Sequence, residues 1–269
     1  MSFLGRIPDT PKWVKKTDAG ENCFLIFVGD SYGLTSGDKI NTDLKMKTFI
    51  TILFSVLLLP AAAFCQTKDR LDKFIPEGYK IFETEYGDLN KDGLEDAVLI
   101  IKATGEAGFD ENQFGDIVDK NRRGILILFN TGNDYELALL NNDCFSSENE
   151  DGGVYYAPEL WVDVEKGNLY VRYAHGRYGH WWYTFRFQNN DFELIGYDAA
   201  EHYGPIVNRE ISINFSTKRK LVRENVNDFT EESGDEIFEE TWFDIFIDKL
   251  VKLSEIEDFD RFDEESFNF

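Results

Sequence analysis

The segment His180-Trp-Trp-Tyr-Thr-Phe-Arg-Phe187 constrains the fold of this chain more than any other. Trp181, Tyr183, Phe185 and Phe187 alternate with Trp182, Thr184 and Arg186, so a period of two sets an all-aromatic row on one face and a mixed row on the other. A helix would scatter those rings around its circumference. The segment is therefore a strand with one buried face, and Asn189-Asn190 turns it into a second, from Phe192 to Tyr197. The pattern recurs. Leu160 to Val164 turns at Lys166-Gly167-Asn168 into Leu169 to Tyr173, and Gly124 to Phe129 turns through Asn130 to Asp134 into Tyr135 to Leu140. Tyr79 to Glu85 and Asp96 to Ile101 read as the first two strands, and Glu210 to Phe215 with Lys220 to Glu224 as a further pair. The 24 Phe, 12 Tyr and 5 Trp suit half-buried strands. The predicted fold is mostly β: one domain, an antiparallel strand meander arranged as a sandwich or in partly propeller-like form.

Around this meander the sequence places acidic loops at 103–123 and 141–153. Residues 237–253 fit a strand or a helix, and strand first is the preferred reading. Residues 255–269 are acidic with scattered Phe, a loose tail or an edge covering.

From Met46 the chain has lysines beside the start, an apolar run from Phe49 to Leu59, and small residues after it, the order of a secretory signal. The run is about half the roughly 20 residues that a membrane-spanning helix needs, so no permanent span is expected after cleavage. Cleavage after Cys65 or after Ala63 leaves a product in the periplasm or outside the cell. A lipoprotein signal would also end at Cys65, but it wants a small residue where Phe64 stands. Residues 1–45 lie ahead of the signal, which points to a start codon placed too far upstream; the alternative is a cytoplasmic extension with Cys23 to Val28 as a short strand. The expected organisation is thus an upstream segment at 1–45, a signal at 46–65, a β domain at 66–254 and an acidic tail at 255–269.

The formal net charge is -23, and residues 1–65, with seven Lys or Arg and six Asp or Glu, contribute almost nothing to it. Such acidity argues against nucleic-acid binding, which needs Lys and Arg on phosphates, and against adsorption to anionic membranes. Only Cys144 surely belongs to the exported part, so no internal disulfide framework is available.

Asp88-Leu-Asn90-Lys-Asp92-Gly93-Leu94-Glu-Asp96 has the pattern of a calcium loop. Side-chain oxygens at positions one, three and five, a glycine at six for a sharp turn, a backbone carbonyl at seven and a carboxylate at nine can surround a hard cation, with Ca2+ the expected ion. Position twelve is Leu99, where an EF-hand would carry a bidentate Glu. The segment Gly87 to Ile100 resembles the FG-GAP and VCBS type repeats of exported bacterial proteins and integrin-like propellers. That resemblance implies that Asp88, Asn90, Asp92, the carbonyl of Leu94 and Asp96 are ligands in a loop preceding a strand. The motif occurs once, whereas a propeller repeats it at nearly every blade. The remainder, especially Gly176 to Tyr197, looks like exported bacterial proteins that pair one such loop with strand meanders. The ion is expected to be structural, because a loop that encloses calcium in protein oxygens leaves little room for substrate.

Other chemistry is weaker in the sequence. His175 and His180 flank the turn Gly176-Arg-Tyr-Gly179, but no Cys or further ligand pattern joins them into a zinc site. There is no Gly-x-Ser-x-Gly, HExxH or phosphate loop. Paired carboxylates can hydrolyse glycosides, and a secreted hydrolase using the acidic loops around 110–119 or 141–151 is the alternative function. The preferred expectation is a non-enzymatic binding or envelope-associated module with a protein or carbohydrate ligand. Arg177, Tyr178 and Trp182 are its candidate ligand-binding residues, because they sit at or beside a turn.

Overall fold

The computed structural model describes residues 70–152 and 155–267. The export signal, the upstream segment and the reading of Cys23 to Val28 lie outside the described residues. Fifteen strands follow in order: β1 (Tyr79–Gly87), β2 (Asp96–Ala103), β3 (Phe109–Glu111), β4 (Ile117–Asp119), β5 (Arg123–Asn130), β6 (Tyr135–Phe145), β7 (Asp151–Gly152), β8 (Tyr155–Tyr156), β9 (Glu159–Glu165), β10 (Asn168–Ala174), β11 (Gly179–Gln188), β12 (Asp191–Tyr203), β13 (Ile206–Asn214), β14 (Arg219–Asn225) and β15 (Phe238–Asp244). They form a four-stranded sheet, β1-β2-β5-β6, a seven-stranded sheet, β15-β14-β13-β12-β11-β10-β9, and two small hairpins, β3-β4 and β7-β8. Every pairing is antiparallel, no sheet closes into a barrel, and the described residues form one mostly β domain.

Turn chemistry sets the hairpins. Lys166 and Gly167 have φ of 53° and 73°, and Asn189 and Asn190 have 52° and 62°. Two successive left-handed residues match the twist of flanking strands, and Asn and Gly tolerate that conformation best. The register follows, with Asn168 opposite Glu165 and Asp191 opposite Gln188.

The two larger sheets share one core. Val98, Ile100, Ile125, Ile127 and Phe129 face Val162, Val171, Tyr183, Phe185 and Phe192, and Phe129 meets Phe187 edge-on at 4.8 Å. The aromatic row expected on β11 is this inner face. The four-stranded sheet is buried on its other side too, where Ala97, Leu99, Ile101, Leu126 and Leu128 pack with Leu71, Phe74 and Ile75. Two-sided burial explains why β2 and β5 are continuous apolar runs with no polar alternation.

The seven-stranded sheet is three strands wider than its partner, which at about 4.8 Å per strand leaves roughly 14 Å of apolar face uncovered. The C-terminal segment covers part of it, short of β15. Leu253, Ile256, Phe259 and Phe267 are buried in the shared core, and Phe259 lies 4.9 Å from Phe145 and 5.1 Å from Tyr183. Residues 255–267 are therefore a wedge between the sheets, and the β domain runs past 254. Their Phe side chains enter the core from single 3-10 turns while the acids between them stay at the surface or pair with Arg209 and Lys220.

Polar contacts order the far end of the four-stranded sheet. Lys102 is buried, and its ammonium donates to Glu148 at 2.6 Å and to the carbonyl of Asp119 at 3.1 Å. The 103–123 connection, expected as a loop, contains the β3-β4 hairpin, and Asn141 to Phe145 belong to β6. Among the described residues no helix is long and apolar enough to cross a membrane.

Candidate functional site

The Asp88 loop joins β1 to β2 across the pair Gly87 and Asp96. Its side chains hold its own backbone. Asp88 accepts from the N–H groups of Asp92 (3.1 Å) and Gly93 (3.0 Å), Asn90 accepts from Asp92 (3.0 Å), and Asp92 accepts from Leu94 (2.8 Å). These bonds turn the oxygens of Asp88, Asn90 and Asp92 inward, and Gly93 supplies the sharp turn at φ 89°. The Asn90 amide also donates to Asp92 at 2.9 Å.

Asp96 is fully buried, and its carboxylate collects three backbone donors: Leu89 at 2.8 Å, Asn90 at 3.3 Å and Asn130 at 3.0 Å. Burial pushes its pKa up, and those three bonds oppose the shift. Asp96 thereby ties the loop to the turn after β5, a role that its position in the motif did not reveal. Among the described residues no group of three or more His, Cys, Asp or Glu side chains converges tightly enough to hold a metal by those side chains alone. The five candidate ligands are all oxygen donors and include an amide and a carbonyl, a set that suits a hard cation and not a transition metal.

The loop also lies where the two sheets meet. A Cβ on Gly87 would fall 2.6 Å from Val164 Cβ on β9, and one on Gly167 in the β9-β10 turn would fall 2.7 Å from Lys91 Cε. The Val164 approach requires glycine at 87, and Gly167 is favoured by its φ of 73° while the flexible Lys91 end lies over it, so the loop, β1 and the β9-β10 turn form one packed corner.

The other candidate residues divide between two faces. Arg177 and Tyr178 stay together on the turn before β11, with the guanidinium 5.5 Å from the ring centre. Tyr178 rims a cleft of about 400 Å³ between the inner end of β11 to β13 and the C-terminal wedge, with Trp181, His175 and Arg209 in its walls. Three acids there are engaged: Glu201 and Glu264 pair with Arg209 at 3.1 and 3.4 Å, and Asp263 caps the last 3-10 turn. Trp182 points to the opposite face, where its ring stacks on His180 at 5.3 Å and lies under Arg172.

The histidines pair differently from the sequence spacing. His175 meets the carbonyl of Tyr156 at 2.9 Å, while His180, opposite Ala200, meets the diagonal His202 edge-on at 5.3 Å. Burial first, and then the neighbouring His202, lower the pKa of His180. The acidic loops do converge, since Asp119 and Glu148 both reach Lys102, but they meet on a buried ammonium and not across a cleft. No protein-family model matches the chain, and no curated protein or solved structure proves significantly similar to it.

Proposed function

We propose that this chain is an exported binding module whose Asp88 loop takes up one structural Ca2+. Asp88, Asn90, Asp92, the Leu94 carbonyl and Asp96 would hold the ion, with water completing the shell. The observation that carries the reading is the inward set of the Asp88, Asn90 and Asp92 oxygens at the corner where both sheets meet. An ion there would neutralise the like charges of the loop and fix β1 and β2 against the β9-β10 turn. Export rests on the signal-like segment at 46–65.

A binding role draws support from the cleft beside Tyr178 and Trp181, which offers rings and paired charges to a protein or carbohydrate ligand. A hydrolase draws less, because Glu201 and Glu264 of the cleft are paired with Arg209, and Asp119 and Glu148 of the acidic loops with Lys102. Calorimetric titration with CaCl2 tests the metal assignment. One equivalent of heat-producing binding, abolished by Asp88→Ala with Asp92→Ala, supports it, and no binding at millimolar calcium overturns it.

A further inference from the structure

We infer that two copies of this chain associate edge to edge through β15, in antiparallel register centred on Thr241. β15 is the last strand of the seven-stranded sheet. The other margins of the two larger sheets are occupied: β9 packs beside β1, and β6 is covered by the C-terminal wedge, to which Asn141 donates at Leu253 and Ile256. Among the described residues nothing lies along β15. From Glu239 to Asp244 it is exposed at every residue, with Trp242 55% and nearby Phe246 80% accessible.

The backbone of this edge is set for pairing. Ile237 accepts from Val226, and Ile245 donates to Lys218, so the odd residues between them point their backbone groups at β14. By the alternation of a strand, Phe238, Glu240, Trp242 and Asp244 point their N–H and C=O groups outward. A flat edge of this kind, with aromatic side chains, is a template for another strand.

The side chains select the second copy as occupant. With Thr241 opposite Thr241, Phe238 faces Asp244, Glu239 faces Phe243 and Glu240 faces Trp242. No acid faces an acid, and each outward N–H meets an outward carbonyl of the other copy. Registers centred on Glu239 or Glu240 would set each acid against itself, and one centred on Trp242 would set Glu240 against Asp244, which repel. A one-residue slip of one strand would put outward groups against inward ones. Positive charge is already beside the edge, with Arg223 3.3 Å from Glu240 and Arg219 over the Trp242 ring. The contact is isologous and closes as a two-fold dimer.

The test is light scattering and sedimentation of the purified full chain from micromolar to millimolar concentration. The expected mass rises from 31.1 kDa toward twice that value. Since both copies are strongly acidic, added salt should strengthen the association by screening their repulsion. Trp242→Pro removes an outward N–H and the indole under Arg219 but no backbone bond to β14, and should return the mass to one copy. A second readout keeps the register testable if that variant folds poorly. Thr241→Cys, with Cys23 and Cys65 changed to Ser, should form an intermolecular disulfide on mild oxidation, because directly opposed residues of this type lie about 4.5 Å apart at Cα. Glu239→Cys in the same background should not, since it would face Phe243. A monomer at every concentration, a dimer that survives Trp242→Pro, or cross-linking at position 239 instead of 241 would overturn the proposal.

Discussion

Replacing Phe259 by Ala should cost this domain about a third of its stability. The ring is 2% exposed and lies among Phe145 at 4.9 Å, Tyr183 at 5.1 Å and Phe262 at 6.1 Å, so its removal leaves a hole bounded by both sheets and the wedge. Phe-to-Ala changes at such sites cost about 3–5 kcal/mol, lost transfer free energy plus the cavity that remains. Typical domains have about 5–15 kcal/mol in total. For a domain of this size, each kcal/mol moves the melting temperature by roughly 2–4 °C, so a fall on the order of 10 °C is expected. Equilibrium urea denaturation is the assay, and the midpoint should fall with the slope unchanged, because the surface exposed on unfolding is nearly the same. Glu257→Ala, at an exposed position two residues away, is the control and should stay within about 0.5 kcal/mol. A loss below about 1 kcal/mol for Phe259→Ala would mean that the C-terminal segment is not part of the core.

Three further changes probe the loop corner and the outer face. Gly87→Ala should destabilise by about 1–3 kcal/mol through its collision with Val164, and adding Val164→Ala should recover part of that loss; purely additive effects in denaturation would refute the contact. Asp96→Ala strands three backbone donors, that of Leu89 buried and those of Asn90 and Asn130 half-buried, and should cost about 2 kcal/mol, with Asp96→Asn costing less because it keeps an acceptor; equal losses would refute the hub. The depressed pKa of His180 means that the unfolded chain binds a proton in a window below about 6.5 that the folded chain does not. Its contribution should therefore be lost as pH falls through that window, and His180→Gln should flatten the profile; identical slopes for both proteins between about pH 7 and 5 would refute it.

The hairpins were legible because two local signals agreed at each one. Alternation marked β11, and Asn189-Asn190 or Lys166-Gly167 marked the turns with residues that accept positive φ. The unbroken apolar runs of β2 and β5 announced burial, though the sequence did not say that both faces of their sheet were covered. The wedge was hidden for a physical reason. Leu253, Ile256, Phe259 and Phe267 follow neither a helical nor a strand period, because short 3-10 turns deliver them one at a time, and acids outnumber them locally. In the candidate site, the spacing of Asp88, Asn90, Asp92 and Gly93 revealed the loop. It could not reveal that Asp96 receives a donor from Asn130, or that Gly167 approaches Lys91, since both depend on how separate hairpins dock. The pairing of His180 with His202 was likewise invisible, because an extra residue in β12, Ile195, shifts its register on β11 and sets which residues become neighbours. Trp182 is sent away from the cleft because the strand period sets it on the face opposite Trp181, whereas Tyr178 stands on the 3-10 turn before β11 and is not bound by that period.

The most direct test of the calcium assignment is thermal unfolding of the purified protein in excess CaCl2 and in chelator, alongside the protein carrying Asp88→Ala and Asp92→Ala. An ion at about 100 times its dissociation constant adds about 2.7 kcal/mol to the folded state, which at this size raises the melting temperature by roughly 5–10 °C. The account predicts that rise for the native protein and none for the double variant. Equal melting temperatures with calcium and with chelator would contradict it, leaving the Asp88 loop a turn held by its own hydrogen bonds.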